Sequence, residues 1–247
     1  MTKPFVGVVS AITLSAVGAL LPAADAASLT LGSAKDSTLY DESTGALANG
    51  GGAGMFVGNT GETRTTRGIL AFDVSSIPAG SVITGATLRL TMNQGPSSAA
   101  SVTLHRVLAN WSEGSVVASG GGGGGGPSTA GSVTWLHTSF SDQFWSTPGG
   151  DFNAVASATT SVAGAGTYTF TSAQLIADVQ AWLDSGQSFG WIVRGIESGQ
   201  GTAKRFATRE STTAASRPAL EITYEIPAPG AALVAAPLAL AARRRRR

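Results

Sequence analysis

The chain contains no cysteine, only two histidines, and charged residues at just 13% of its 247 positions. Without cysteine there are no disulfides, thiol nucleophiles, iron–sulfur clusters or thiolate zinc sites. If exported, such a chain relies on core packing, ladder hydrogen bonds and, as the remaining staple, a bound hard cation. The scarcity of charge argues against long charged helices. The 33 glycines, with many Ser, Thr and Ala, favour short strands and frequent turns instead. Long apolar runs are missing from the middle of the chain, because the 43% hydrophobic share and the mean hydropathy of +0.16 are inflated by the two ends. A polytopic membrane protein is thereby excluded.

Positive charge is also scarce where it would matter. Of the 16 Lys and Arg, five are Arg243 to Arg247; between Ser28 and Ile226 ten basic residues face fourteen acidic ones, a net charge near −4. Nucleic acid is therefore not the expected partner, since phosphate binding needs clustered cations on the folded surface. His105 and His137 are far apart and lie near no G-x-S-x-G or comparable nucleophile motif, so both read as structural. Carboxylates such as Asp41, Glu42, Asp73, Glu113 and Asp151 are not placed by sequence across any cleft, as glycoside hydrolysis would require. The chain is expected not to be an enzyme, a polysaccharide-degrading hydrolase being the lesser alternative. No cofactor is required. Structural calcium is the one ion that suits loop carboxylates here, with Asp36, Asp41 and Asp151 as candidate ligands.

The two ends read as addresses. Lys3, the apolar stretch Phe5 to Leu21, and Ala24-Asp25-Ala26 have the layout of a secretory signal cleaved after Ala26. At the other end Pro227-Ala228-Pro229-Gly230 precedes the apolar stretch from Ala231 to Ala242 and then five arginines, too short a stretch to span a bilayer but suited to transient inner-membrane anchoring. That tail resembles the PEP-CTERM sorting signal of Gram-negative bacteria that secrete exopolysaccharide. It departs from the signal in carrying Ala228 where the eponymous motif has Glu. The resemblance implies an exosortase-type processing enzyme as partner, and a location at the cell surface or in the extracellular matrix. The domain plan is residues 1–26 as signal, 27–226 as one folded body, and 227–247 as sorting tail.

Strand patterns recur through the body. Leu29 and Leu31 alternate with polar neighbours, as do Ala86, Leu88, Leu90 and Met92; Gly68 to Phe72 is a short apolar run. Val102 to Val107, Ser132 to Trp135, Tyr168 to Phe170, Gly190 to Val193 and Leu220 to Tyr224 continue the series. Nine or ten strands with Gly-, Ser- or Pro-containing connections predict an all-β, antiparallel, jelly-roll-like sandwich. One helix interrupts it. Thr171-Ser172-Ala173-Gln174 has capping-box spacing, Leu175, Val179, Trp182 and Leu183 share a face, and Gly186 is a suitable stop. Gly120 to Gly126 reads as a mobile loop.

Several segments in order are similar to the DNRLRE domain, also known as carbohydrate-binding module family 96. They include Lys35 to Tyr40, Met55 to Gly58, Arg67 to Asp73, Ala86 to Leu90, His105-Arg106-Val107 with Trp111, and Trp145 with Gly149-Gly150-Asp151. Ala181-Trp182-Leu183, Gly190 to Val193 and Phe206 to Glu210 complete the set, which covers about Leu29 to Tyr224. Asp36, Asn49, Arg67, Leu70, Arg209 and Glu210 match the letters of the domain's name. The resemblance implies an exported β-sandwich, some members of which bind acidic polysaccharide such as alginate, and it supplies no catalytic pair.

Two roles are open to Arg67, Arg209 and Glu210: gripping uronate carboxylates, or tying two strands together as a partly buried ion pair, Arg67 to Glu210. Lys204 and Arg205, expected to be exposed, are the better sugar contacts. Trp145, on a Pro-Gly-Gly loop, is either a stacking platform for a pyranose ring or a core residue. The expected function is a carbohydrate-binding module for uronate-rich polysaccharide; the alternative is a structural surface or matrix protein with no dissociable ligand.

Overall fold

The computed structural model describes residues 25–227. The expected signal segment 1–26 and tail 227–247 lie outside these residues, apart from Asp25, Ala26 and Pro227. In chain order the strands are β1 (Asp25–Gly32), β2 (Lys35–Tyr40), β3 (Leu47–Ala48), β4 (Gly54–Asn59), β5 (Thr65–Ala71), β6 (Val82–Gln94) and β7 (Ala100–Arg106). A long excursion follows, carrying only the short pieces β8 (Gly126–Pro127), β9 (His137–Ser139) and β10 (Gln143–Phe144). Then come β11 (Ala158–Val162), β12 (Gly166–Thr171), helix α1 (Ala173–Ser185), β13 (Trp191–Arg194), β14 (Lys204–Ala207) and β15 (Ala219–Ile226).

These strands form an all-β, antiparallel sandwich of jelly-roll kind with one short helix. The 13-residue β6 is the spine of one layer. It pairs with β12 along one side, and with β15 and then β14 along the other; β1 lies beyond β15 and β4 beyond β14. The second layer runs β2, β5, β13, β7, β11. The layers are joined through β4, whose first four residues pair with β14 and whose last two pair with β5. The switch falls at Gly58, which sits at φ +118° with the Thr202 carbonyl oxygen 3.0 Å from where a Cβ would be. A side chain there would meet both a strained backbone and a filled space, which is why the corner uses glycine.

The alternation seen in sequence places Ala86, Leu88, Leu90 and Met92 in the main core, facing Leu70, Val102, Leu104, Trp191 and Val193 of the other layer. Helix α1 closes this core with Leu175, Val179 and Trp182; the Trp182 ring lies 4.3 Å from that of Trp191. A second core forms on the opposite face of the second layer. There Leu39, Ile69, Ala71 and Ile192 pack against Val107, Trp111, Val133, Trp135 and Trp145 of the excursion. Strands β5 and β13 are therefore buried on both faces, which accounts for their continuous apolar sequence. No helix among the described residues is long and apolar enough to cross a membrane.

Three local expectations are corrected. The helix N-cap is Ser172, not Thr171: its Oγ accepts from the Leu175 N–H at 2.9 Å, while Thr171 is the last residue of β12, paired with Thr87. The stop at Gly186 stands, in the left-handed conformation with its N–H on the Leu183 carbonyl. Ser132 to Trp135 is not a strand, because the Thr134 hydroxyl captures the backbone N–H groups of Leu136 and His137 at 3.2 and 3.0 Å and turns the chain. Finally, Gly120 to Gly126 is held in place. It contains a 3₁₀ turn, accepts hydrogen bonds from Tyr40 Oη at Gly122 and from Arg64 at Gly124, and ends in the β8 pairing of Gly126 with Ala48.

Candidate functional site

The groove begins with a register. In β14, Lys204 and Phe206 point into the sandwich, so Arg205 between them points out. Arg205 lies opposite Phe56 on β4 and opposite Gln94 on β6. An aromatic ring, a guanidinium and an amide therefore stand in a row across three strands on one face. The guanidinium carbon is 5.9 Å from the Phe56 ring centre, and Nη1 donates to Asn93 Oδ1 at 2.8 Å. Arg205 Nε is buried with no partner. The side chain reaches this position because residue 54 is glycine: a Cβ there would stand 2.2 Å from Arg205 Nε.

Around this row the chain builds an open groove of about 370 Å³. The loop joining β4 to β5 contributes Thr60, Glu62 and Arg64, and the glycine segment contributes Gly123 and Gly124. Arg64 Nη1 donates to the Gly124 carbonyl at 3.2 Å, so one cation also positions the glycine wall. Burial draws the Arg205 pKa below the ordinary arginine value, opposed by the nearby Tyr40. Two cations against the single carboxylate of Glu62, with a hydrogen-bonding amide and exposed glycine backbone, make a surface suited to an anionic, hydroxyl-rich ligand.

The other expected contacts are elsewhere. Lys204 is not exposed: it is 1% accessible, and its ammonium donates to the carbonyls of Pro96, Ser98 and Ala163 at 2.7, 3.0 and 2.9 Å. All three donors are spent on loop backbone, so it joins loops inside the molecule and contacts no sugar. Trp145 is likewise a core residue, 5% accessible in the second core, with Nε1 donating to the Thr134 carbonyl at 3.0 Å.

Arg67 does form a partly buried ion pair, but with Glu197, not Glu210. Nε and Nη2 grip both Glu197 oxygens at 2.8 and 3.0 Å, Nη1 donates to the Gly149 carbonyl, and the guanidinium covers the Trp135 ring at 4.6 Å. Arg194 holds the same carboxylate at 2.8 Å through two more bonds. Burial by itself would raise the Glu197 pKa, but the hydrogen bonds and charges of Arg194 and Arg67 prevail and hold it at about 2.

Arg209 bonds Glu113 through Nε at 2.8 Å and through Nη2, and reaches Glu210 Oε1 from Nε at 2.9 Å. The expected calcium trio does not assemble. Asp36 is fully buried beside Glu113 and Glu210; Asp41 is exposed just past β2; Asp151 caps its own loop, accepting the Ser146 and Thr147 N–H groups at 2.8 and 2.9 Å. A carboxylate that closes a Pro-Gly-Gly turn satisfies the N–H groups of that turn first.

The histidines are also engaged locally. His105 contacts the Asn153 carbonyl and Thr103 Oγ1 at 2.9 and 3.1 Å, and burial lowers its pKa; His137 Nδ1 lies 2.9 Å from Thr134 Oγ1. Phe56, Arg64 and Gln94 were not singled out from sequence. Only Arg205, through the alternation Lys204-Arg205-Phe206, carried a signal for the groove, and that same alternation places Lys204 inside. Sequence did not pair Glu197 with Arg67 or Glu113 with Arg209, which lie 130 and 96 positions apart; only Arg194, three residues before Glu197, is a local partner. No model of a known protein family matches the chain, and no curated protein matches it in sequence.

Proposed function

We propose that this is an exported, non-catalytic surface or exopolysaccharide-matrix protein whose sandwich binds acidic polysaccharide in the groove around Arg205. The observation that carries this reading is the concentration of Arg64 and Arg205 at one open groove on a body whose net charge is near −4. A uronate carboxylate suits a guanidinium whose one bonded acceptor is Asn93 Oδ1, and Gln94 and the glycine wall offer polar partners to ring hydroxyls. The similarity of the ordered segments to the DNRLRE domain supports the same ligand class. The Pro227 tail and its arginine block would deliver the chain to an exosortase-type enzyme after transient inner-membrane anchoring.

Retention on an alginate gel at low salt tests the binding. Wild-type protein should be delayed, the delay should shrink as salt screens the charges, and Arg205→Ala and Arg64→Ala should each reduce it with little change in melting temperature. Passage of wild type through alginate and neutral glucan gels without delay would leave the second reading, a structural matrix protein. That reading draws on Lys204 and Trp145, whose polar groups are wholly committed to the protein's own backbone.

A further inference from the structure

Away from the groove, three acidic side chains converge from distant parts of the chain: Asp36 on β2, Glu113 in the excursion after β7, and Glu210 three residues past β14. Each brings a carboxylate oxygen within 4.8 Å of the other two. Their hydrogen bonds leave a specific deficit. Asp36 Oδ2 accepts from Ser33 Oγ at 2.8 Å and from the Arg209 N–H at 3.0 Å, but Oδ1, on a fully buried residue, accepts from nothing. Glu210 Oε1 lies 2.9 Å from Arg209 Nε as an ion-pair contact, the Nε–H itself going to Glu113, while Oε2 is buried and also without a partner. Glu113 is fully used, by Arg209 on both oxygens and by the Asp36 N–H at 2.7 Å. Lys35, the nearest other cation in sequence, is turned to Asn110 Oδ1 and the Trp111 carbonyl.

Three carboxylates against the contacting Arg209 guanidinium and the Lys35 ammonium, whose charge reaches Glu113, still leave an excess of negative charge, and two of their buried oxygens have no donor. Buried carboxylate oxygens are expensive to leave unpaired and need a donor, a proton or a cation. The donor set is entirely oxygen, which selects a hard ion over zinc or copper. The Glu210 and Glu113 side chains remain 22% and 13% accessible, so water can enter and complete a coordination shell.

We propose that Asp36, Glu113 and Glu210 form a binding site for a divalent hard cation of the calcium class, with Asp36 Oδ1 and Glu210 Oε2 as its principal protein ligands. The ion clasps β2, the excursion and the segment after β14, three parts of the chain already joined here by the Arg209 side chain on Glu113, the Asp36 N–H on Glu113 and the Arg209 N–H on Asp36. With few protein oxygens and several waters, its dissociation constant is expected at about 0.1–1 mM, in the range of extracellular calcium modules.

The test uses the full chain stripped with a chelator, then melted against increasing calcium chloride, with magnesium chloride and with sodium chloride at matched ionic strength. Calcium should raise the melting temperature saturably, by about 4 °C at tenfold excess over the dissociation constant. Terbium added to the same protein should give tryptophan-sensitised luminescence that calcium displaces. Asp36→Asn should fold, since it removes the unpaired charge, and should lose both responses; Glu210→Gln, at a more accessible position, is the second variant and should weaken both. Absence of a saturable shift and of luminescence in wild type would overturn the proposal, leaving a proton and Arg209 to neutralise the cluster. Responses that persist undiminished in both variants would also overturn it, by placing the ion at other carboxylates.

Discussion

At the scale of single residues, charged side chains here divide by whether solvent is still available to them. Arg205 keeps an open face and is a candidate for recognition; Arg67, with a carboxylate, a carbonyl and an aromatic ring around one guanidinium, is structural. Arg67→Ala should therefore cost about 2 kcal/mol at neutral pH, less than a fully orphaned buried charge because Arg194 remains on Glu197. The same cluster sets an acid limb. Glu197 is depressed from 4.5 to about 2, so its stabilisation is present above about pH 4.5 and is lost as pH falls toward 2. In full such a shift is worth about 3 kcal/mol, and about 2 once solvent screening of a partly accessible group is allowed for. Urea denaturation of wild type and Arg67→Ala between pH 6 and pH 2 checks both points. The two curves should converge at the acid end, and parallel curves would show that Glu197 does not report the pair. Sequence supplied the idea that Arg67 is paired but not with whom, because Glu197 is brought to it only by the antiparallel pairing of β5 with β13 and the turn that follows β13.

At the scale of elements, what was legible is what has a period. The alternation along β6 and the 3.6-residue face of α1 both survive into the structure, because each face is decided by a core that rewards it along its whole length. What lacks a period was not legible. The excursion between β7 and β11 packs Trp111, Trp135 and Trp145 as a lid on the second layer with almost no regular structure, and no spacing in those residues distinguishes a buried indole from an exposed one. The helix start shows the limit of a local motif: both Thr171 and Ser172 are capping residues by type, and β12 decides between them by retaining Thr171 for its pairing with Thr87. Ser172 then serves twice, accepting from Leu175 and donating to the Ser157 carbonyl. Ser172→Ala should thus lower stability by about 1–2 kcal/mol, whereas Thr171→Ala, at an exposed strand end, should cost a few tenths, about 0.3 kcal/mol. Equal losses in chemical denaturation, or a larger loss at Thr171, would return the cap to Thr171.

At the scale of the whole molecule, the ends of the described chain are partners. β1 pairs with β15 over its entire length, from Asp25 opposite Ile226 to Gly32 opposite Ala219. Cleavage after Ala26, as the signal-like segment predicts, would remove only the first two residues of that ladder, and both are exposed. Removal through Gly32 is a different matter. It would strip the cover from β15, whose Leu220 and Ile222 belong to the main core and against which Leu29 and Leu31 pack, and would turn β15 into an open sheet edge. An open edge with apolar neighbours pairs readily with a second copy. Protein beginning at Ala27 should therefore match protein beginning at Asp25 in melting temperature and elute as the same species. Protein beginning at Ser33 should melt well below both and associate with increasing concentration on size exclusion. Intact mass of the protein recovered from its native host fixes which start is natural. If the chain beginning at Ser33 were as stable and as monodisperse as the others, β1 would be an ornament on the sheet, and β15 would have to be protected from self-pairing by its own outward-facing Glu221 and Glu225.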